Sequence, residues 1–376
     1  MSQALAEALT EIDDPETIEK VLAAVGVDYA PETGLDSLDQ PTLSELFDRF
    51  LSRRENRSPA TRSQYKRTIP HFVEYAEDNS VTFPSGISTE LVDGYVDTLE
   101  SESNADATTL TYTKNVRGWL RWLAKRDHCD ETVYRILDKD ELGLSPKARD
   151  VALPESEAAG IVGKLRQQRR GSPMHALIEL LWNAGPRIGG VRSLDIRDFD
   201  SDENTIRIRH RPESGTRLKN GSEDDGTPGD GERNIQVSDR VVEALTCYIE
   251  TERPNVTDEY GREPLFATSQ GRASRSTLRR WVYEATSCRW TERHGEESHC
   301  SGSCSPDSNV CAHSYYPHAI RRGSIVNHLS GGLRLDLASQ RFNVSPRTLQ
   351  KHYDPRSKER RKEDRADAVR SAWSDW

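Results

Sequence analysis

Lysine is scarce in this sequence: only 11 of its 376 residues are lysine, although 52 are basic. With 62 acidic residues the net charge is −10, so the basic excess that usually marks a nucleic-acid-binding domain is missing. An acid-rich, arginine-rich composition is typical of a protein adapted to concentrated salt, in which surface carboxylates maintain hydration. An ordinary acidic cytosolic enzyme is the alternative interpretation.

Long apolar runs are also missing, and no segment is long enough to span a membrane as a helix. Residues 1–9 lack the basic start and the apolar core of a secretion signal. We therefore expect a cytoplasmic protein that does not contact a membrane. The length of the chain is sufficient for two domains.

Cysteine occurs six times, and four of the six are clustered: Cys288, Cys300, Cys304 and Cys311. Four thiolates in one polar stretch fit a tetrahedral zinc site in a reducing compartment, and a nearby histidine could replace one of them. The cluster predicts a possible structural zinc ion that holds a Cys-rich insertion at 288–313, with no part in the chemistry. Thiols that are redox-active or bind no metal are the alternative.

The first third of the chain is predicted to be helical. Residues 1–40 are expected to form a helical extension and a linker, and residues 41–140 to form a helical domain. Thr42 and Glu45 have the spacing of a capping box ahead of an apolar run, and three further stripes at helical spacing follow. Basic residues on the polar faces fit either a solvated surface or a DNA-binding one.

The rest of the chain adds a small β-sheet. Residues 205–210 alternate as a strand with one buried face does, and residues 232–237 are a candidate antiparallel partner. The predicted fold class is mainly α with a small antiparallel β-sheet. Its predicted parts after the helical domain are a linker at 141–153, a mixed α+β catalytic domain at 154–356 and a charged tail at 357–376.

A histidine, an arginine and a tyrosine near the end of the chain suggest chemistry on a phosphodiester. Pro317 is suited to the first turn of a helix, and His318 and Arg321 then share one face of it. Ser345 is a good N-cap for a second helix that leads to Tyr353. An imidazole exchanges protons near neutral pH, and a guanidinium binds a phosphate through two hydrogen bonds.

Two earlier residues extend this set. Arg187 follows Gly185 and Pro186 at the end of an apolar helix, where the start of a new helix favours an anion. Lys219 is the only lysine between Lys164 and Lys351, and it lies in the glycine- and acid-rich loop of the predicted hairpin. An isolated lysine in such a loop is a candidate proton donor.

The order of Arg187, Lys219, His318-x-x-Arg321 and Tyr353 resembles the tyrosine recombinases, the phage-integrase-type site-specific recombinases, over roughly residues 41–356. The resemblance implies that residues 41–140 are the core-binding domain that binds DNA. It also implies double-stranded DNA as substrate and a tetramer on paired DNA sites. The implied reaction forms a 3′-phosphotyrosine link and requires no cofactor.

The chain departs from the family pattern at two positions. The family often has a glutamate three residues after the first arginine, where this chain has Gly190. It usually has a second histidine or a tryptophan about nine residues before the tyrosine, where this chain has Val344. That group normally helps to bind the scissile phosphate, so the expected cost is in reaction rate and not in reaction type.

The resemblance assigns a role to each residue. Arg187 and Arg321 are expected to bind the non-bridging phosphate oxygens, His318 to accept the proton of Tyr353 or orient the phosphate, and Lys219 to protonate the 5′-hydroxyl leaving group. Two other functions fit the same residues: a DNA-binding regulator that has lost cleavage, and a type IB topoisomerase. The compact helical domain at 41–140 favours a recombinase.

Overall fold

The computed structural model describes residues 40–102, 105–144, 151–219, 231–288 and 313–354, with Gly229, Cys311 and a few positions between 362 and 373. The chain divides into two compact units, residues 1–149 and residues 150–376. This division falls within the linker predicted at 141–153. Residues 1–39 of the extension and linker predicted at 1–40, most of the charged tail, and Cys300 and Cys304 lie outside the described residues.

The described residues of the first unit are helical, as the sequence predicts. Thr42 accepts a hydrogen bond from the amide of Glu45 at 3.2 Å, and the Glu45 carboxylate accepts one from the Thr42 amide at 2.9 Å, so the predicted capping box is present. Its helices are α1 (Leu43–Ser52), α2 (Pro59–Asp78), α3 (Thr89–Ser101), α4 (Asp106–Ala124) and α5 (Thr132–Arg135).

The apolar stripes of these helices meet in one core. Trp119 of α4 and Tyr95 of α3 are fully buried, and the ring of Phe72 from α2 packs edge-on against both. Burial of an aromatic side chain contributes several kcal/mol at about 25 cal/mol per Å² of apolar area. The predicted stripes are therefore core residues.

The second unit combines eight helices with two small antiparallel sheets among its described residues. The helices are α6 (Glu155–Gln168), α7 (Pro173–Ala184), α8 (Ile188–Ser193), α9 (Asp239–Thr251), α10 (Arg275–Ala285), α11 (Pro317–Ser330), α12 (Leu335–Phe342) and α13 (Pro346–His352). The strands are β1 (Phe199–Asp200), β2 (Thr205–Ile208), β3 (Arg233–Gln236), β4 (Ala267–Thr268) and β5 (Gly271–Arg272).

The predicted hairpin is confirmed. Strands β2 and β3 are antiparallel, with Thr205 opposite Gln236 and Ile208 opposite Arg233. Ile206 and Ile208 point into the core, which is why this segment alternates in sequence. Strand β1 extends the sheet to three strands, and β4 and β5 form a separate hairpin.

Helix α7 lies at the centre of the second unit, and its neighbours α6, α9, α10 and α11 pack around it. Helix α11 approaches closely through Gly323, because a Cβ atom at that position would lie 2.1 Å from the Leu153 carbonyl oxygen and 2.9 Å from the Trp182 ring. The Leu153 amide also donates to the carbonyl of Ala319 at 3.1 Å. These contacts fix the position of the helix that carries His318 and Arg321.

Among the helices of the described residues, none combines the length and the apolar character that a membrane crossing requires.

Candidate active site

Arg187 is positioned by the way in which α7 ends. Gly185 caps α7 in the left-handed conformation, with φ at 54°, and a Cβ atom there would lie 2.8 Å from the Phe342 ring. The chain therefore turns sharply, and Arg187 becomes the N-cap of α8 as the sequence predicts. Its side chain is half-buried and is directed back towards the end of α12.

Helix α11 begins at Pro317 and carries His318 and Arg321 in its first turns. His318 is exposed, whereas Arg321 is 1% exposed and lies in the interior. The Arg321 Nη1 donates to the carbonyl of Gly185 and its Nη2 donates to the carbonyl of Phe342. Its Nε is buried without a hydrogen-bond partner in the described part of the chain.

Tyr353 lies at the C-cap of α13, immediately after the helix that Ser345 and Pro346 open. Its amide donates to the carbonyl of Leu349 at 2.9 Å, which fixes its backbone. The ring is largely buried, and its hydroxyl oxygen lies 3.5 Å from Nε2 of His318. The Arg322 guanidinium lies 5.3 Å from the centre of the tyrosine ring.

Three arginines converge on three consecutive carbonyls at the end of α12. Arg233 donates from Nε to the carbonyl of Arg341 at 2.8 Å, Arg321 donates to that of Phe342, and Arg187 donates to that of Asn343 at 2.9 Å. The last carbonyls of a helix have no partner within the helix and carry its negative partial charge. They therefore hold three cations close together.

Burial and the neighbouring positive charges lower the pKa values of two of these arginines. Burial, followed by the charges of Arg187 and Arg233, lowers the pKa of Arg321 to about 9. Burial, followed by Arg187 and Arg341, lowers the pKa of Arg233 to about 10. Both values stay above neutral pH, so the two guanidiniums remain cationic and the site attracts an anion.

His318 responds to the same charges. Although the residue as a whole is exposed, packing around the imidazole removes part of the ring's water and lowers its pKa below the ordinary value, and the charges of Arg321, Arg187 and Arg322 lower it further. At neutral pH the ring is therefore uncharged and can accept a proton at Nε2.

Lys219 lies in the same region, at the edge of an open cleft of about 300 Å³ that Arg187 also lines. Among the described residues, six cationic side chains line this cleft and no carboxylate does: Arg187, Arg217, Lys219, Arg233, Arg275 and Arg279. Six cations close together are suited to a phosphate backbone.

All five predicted site residues thus lie in one region. Arg187 and Lys219 line the cleft, Tyr353 lies against His318, and the charge of Arg187 acts on both His318 and Arg321. The two arginines expected to bind the non-bridging oxygens differ in their surroundings, because Arg187 lines the cleft while Arg321 is buried and donates to backbone carbonyls.

Sequence reasoning missed Arg233 and the carbonyl of Asn343. Arg233 is one of 41 arginines, and nothing in its strand distinguishes it from the others. The role of Asn343 comes from its backbone in the left-handed conformation, with φ at 49°. Asparagine tolerates that conformation, which is the one signal that could have marked this turn.

The two residues that depart from the family pattern, Gly190 and Val344, lie in apolar surroundings in the structure. Gly190 is buried, and a Cβ atom there would meet the side chain of Ile208 at 3.5 Å. Val344 is buried in a cluster with Ile325 and Phe342. Neither position supplies a polar group to the cleft.

Comparison with known proteins relates both units to one group of enzymes. Residues 45–127 match the family described as phage integrase, N-terminal SAM-like domain. The tyrosine recombinase XerD of Staphylococcus epidermidis is 20% identical over 317 residues, which cover 83% of this chain and 97% of that protein. The XerD protein of Staphylococcus aureus is 19% identical over the same length.

Solved structures share the fold. The Tn1549 transposon integrase in complex with a circular intermediate DNA matches 86% of this chain and 99% of its own, at 13% identity and a TM-score of 0.64. A lambda integrase dimer bound to a COC′ core site matches 91% of this chain and 86% of its own, at 14% identity and a TM-score of 0.59. The mainly helical fold with small antiparallel sheets is therefore confirmed.

Proposed function

Because this chain belongs to the tyrosine recombinase family, we propose that it is a site-specific DNA recombinase that cleaves and rejoins DNA through a 3′-phosphotyrosine intermediate. One observation supports this most strongly. The Tyr353 hydroxyl lies 3.5 Å from His318 Nε2, beside a cleft that six cationic side chains line. A nucleophile, a base and a phosphate-binding surface are thus adjacent.

In the first step, the Tyr353 oxygen attacks the phosphorus of the scissile phosphodiester. A neutral phenol is a weak nucleophile, so His318 accepts the proton of Tyr353 at Nε2 as the bond to phosphorus forms. The bond from phosphorus to the 5′ oxygen breaks, and Lys219 donates a proton to that oxygen. Rejoining reverses these transfers with a 5′-hydroxyl as the nucleophile, and the phosphotyrosine bond conserves the energy.

Arginine stabilises the charge that develops on phosphorus in the transition state. A phosphate in the cleft replaces the Asn343 carbonyl as the acceptor of Arg187, and a charged, bidentate acceptor is the stronger partner. Arg321 contributes its charge from beneath and holds the Gly185 turn that presents Arg187. Arg233 fixes the same end of α12 from the β-sheet.

Strand exchange between two sites requires four strand cleavages. We propose a tetramer on two double-stranded DNA sites in the cytoplasm, with the predicted tail at 357–376 docked on a neighbouring subunit. The cations of the cleft are all outside the first unit, so we assign phosphate chemistry to the second unit and additional DNA binding to the helical one.

A DNA duplex with a nick next to the cleavage point tests this proposal. Release of the short fragment past the nick traps the covalent complex, so the proposal predicts a protein–DNA band with one class of site that Tyr353→Phe abolishes. The absence of a band with all DNA tested would favour a DNA-binding regulator. Bands of equal yield on unrelated sequences, with relaxation of supercoiled DNA, would favour a topoisomerase.

A further inference from the structure

A second cluster of reactive side chains lies outside the proposed active site. The Cys288 Sγ is 3.1 Å from the Cys311 Sγ and 3.3 Å from Nδ1 of His313. The ligand atoms of all three residues lie within 4.8 Å of one another. Cys288 follows α10, and Cys311 and His313 precede α11, so the two ends of segment 289–310 meet here.

We propose that Cys288, Cys311 and His313 bind a zinc ion. The sulfur atoms are farther apart than the roughly 2.05 Å of a disulfide. Two thiolates on one tetrahedral zinc are about 3.8 Å apart, and a thiolate and an imidazole nitrogen about 3.5 Å, given Zn–ligand bonds of about 2.3 and 2.0 Å. An outward shift of well under 1 Å therefore admits the ion.

The types of ligand atom determine which metal ion fits this site. Thiolates and an imidazole are the ligands that zinc takes in structural sites, whereas magnesium and calcium require oxygen donors. Among the described residues the cluster contains no carboxylate. Cys311 is buried and Cys288 is half-buried, which partly shields the two thiolates from solvent, whereas His313 is exposed.

At this position the ion holds two segments of the chain together, which is its mechanical role. The Ser314 hydroxyl donates to the Tyr283 carbonyl at 2.7 Å, and the Tyr315 amide donates to the Thr286 hydroxyl at 2.9 Å. These bonds already join the end of α10 to the chain that enters α11. Zinc bound to the three residues joins the same two segments through stronger bonds. Because His313 precedes His318 by five residues, the ion also fixes the start of the helix that carries the proposed base.

A structural zinc has four ligands, and the three described residues supply three. With His313 as a ligand one position remains, so only one of Cys300 and Cys304 completes the tetrahedron, as in the predicted alternative in which a histidine replaces one thiolate. Which of the two binds stays a prediction, because both lie outside the described residues.

Native mass spectrometry and elemental analysis of the full-length, reduced protein test the proposal. The expected result is one zinc per chain. Substitutions Cys288→Ser, Cys311→Ser and His313→Ala should each reduce the zinc content strongly, whereas Cys129→Ser and Cys247→Ser, which remove cysteines distant in sequence from the cluster, should leave it unchanged. Cobalt substitution adds a second readout, since thiolate-to-cobalt charge-transfer absorption should fall with each cysteine removed.

Three results would overturn the proposal: wild-type protein that binds no metal and whose thiols are all alkylated, a mapped Cys288–Cys311 disulfide, or loss of zinc in Cys300→Ser and Cys304→Ser but not in the three variants. If those variants do not fold, the wild-type protein decides the question. A chelator should then lower its melting temperature, and added zinc should restore it. An unchanged melting temperature after complete removal of the metal would contradict the mechanical role.

Discussion

The Tyr353 hydroxyl and Nε2 of His318 lie 3.5 Å apart, at the outer limit of a hydrogen bond. Catalytic hydrogen bonds are often long in the absence of substrate and shorten in the reacting complex. The two residues come from different helices, α13 and α11, and each is fixed by its own helix end. Their separation therefore reflects the packing of α13, α12 and α11 and is a property of the fold.

The pH dependence of cleavage should report on His318. Its pKa is lowered below the ordinary 6.5, chiefly by loss of water and then by the arginine charges. A protonated ring cannot accept the tyrosine proton, so the single-turnover rate should rise with pH through this lowered pKa and level off above it. A rising limb centred above 6.5 would contradict this account.

The shift can also be measured without activity. In NMR titrations of histidine-labelled protein, with His318→Gln to assign the signal, the imidazole of His318 should titrate below 6.5. Arg187→Ala removes one of the positive charges that lower this pKa, so the midpoint should move upwards. A midpoint that does not move would show that Arg187 is electrostatically remote from His318.

Arg187→Ala should lower the rate of covalent-complex formation by about 10²–10³-fold, the usual cost of one donor to a developing oxyanion. DNA affinity should change far less, because five further cations line the cleft. Arg187→Lys should recover only part of the rate, since an ammonium lacks the planar fork of donors. Arg240→Ala, at an exposed position of α9, is the control and should leave the rate unchanged. Equal rates for Arg187→Ala and the control would remove Arg187 from the mechanism.

Lys219→Ala should slow cleavage of ordinary DNA by about 10²–10⁴-fold, the usual contribution of a general acid. A substrate with sulfur in place of the 5′ bridging oxygen is the informative control, because a thiolate leaves without being protonated. The variant and the wild-type protein should cleave it at similar rates. If the sulfur substrate does not rescue the variant, Lys219 has another role, such as DNA binding.

Gly323→Ala tests the packing that positions α11. The added methyl group would overlap the Leu153 carbonyl and the Trp182 ring, so the free energy of unfolding should fall by about 1–3 kcal/mol. Gly160→Ala is the matched control: it lies in α6, is exposed, and has no atom within 4 Å of the added Cβ. It should raise stability by about 0.5–1 kcal/mol. Urea unfolding of both variants makes the comparison, and equal shifts would contradict the close approach.

Local signals in the sequence predicted much of the fold. The capping box at Thr42, the proline starts at Pro317 and Pro346, and the alternation before Arg209 each rest on neighbouring residues, and the structure confirms them. Strands β1, β4 and β5 are two residues long each, which is too short for an alternating pattern. Their pairing depends on tertiary contacts that a local pattern does not contain.

The residue types of the site could be predicted from the sequence, but which of its residues are buried could not. Nothing local shows that Arg321 is buried, because its partners Gly185 and Phe342 are 136 and 21 residues away in sequence. The inward direction of Val344 likewise depends on α11 and α12 packing around it. Its expected effect on rate stays a prediction.

The central claim is that Tyr353 becomes covalently attached to the 3′ phosphate of cleaved DNA. Trapped complexes from the nicked duplex should be digested with protease and nuclease, and the modified peptide sequenced by mass spectrometry. The account predicts a nucleotide 3′-phosphate on Tyr353 and no adduct in the Tyr353→Phe variant. An adduct on another residue, or one linked through a 5′ phosphate, would contradict it.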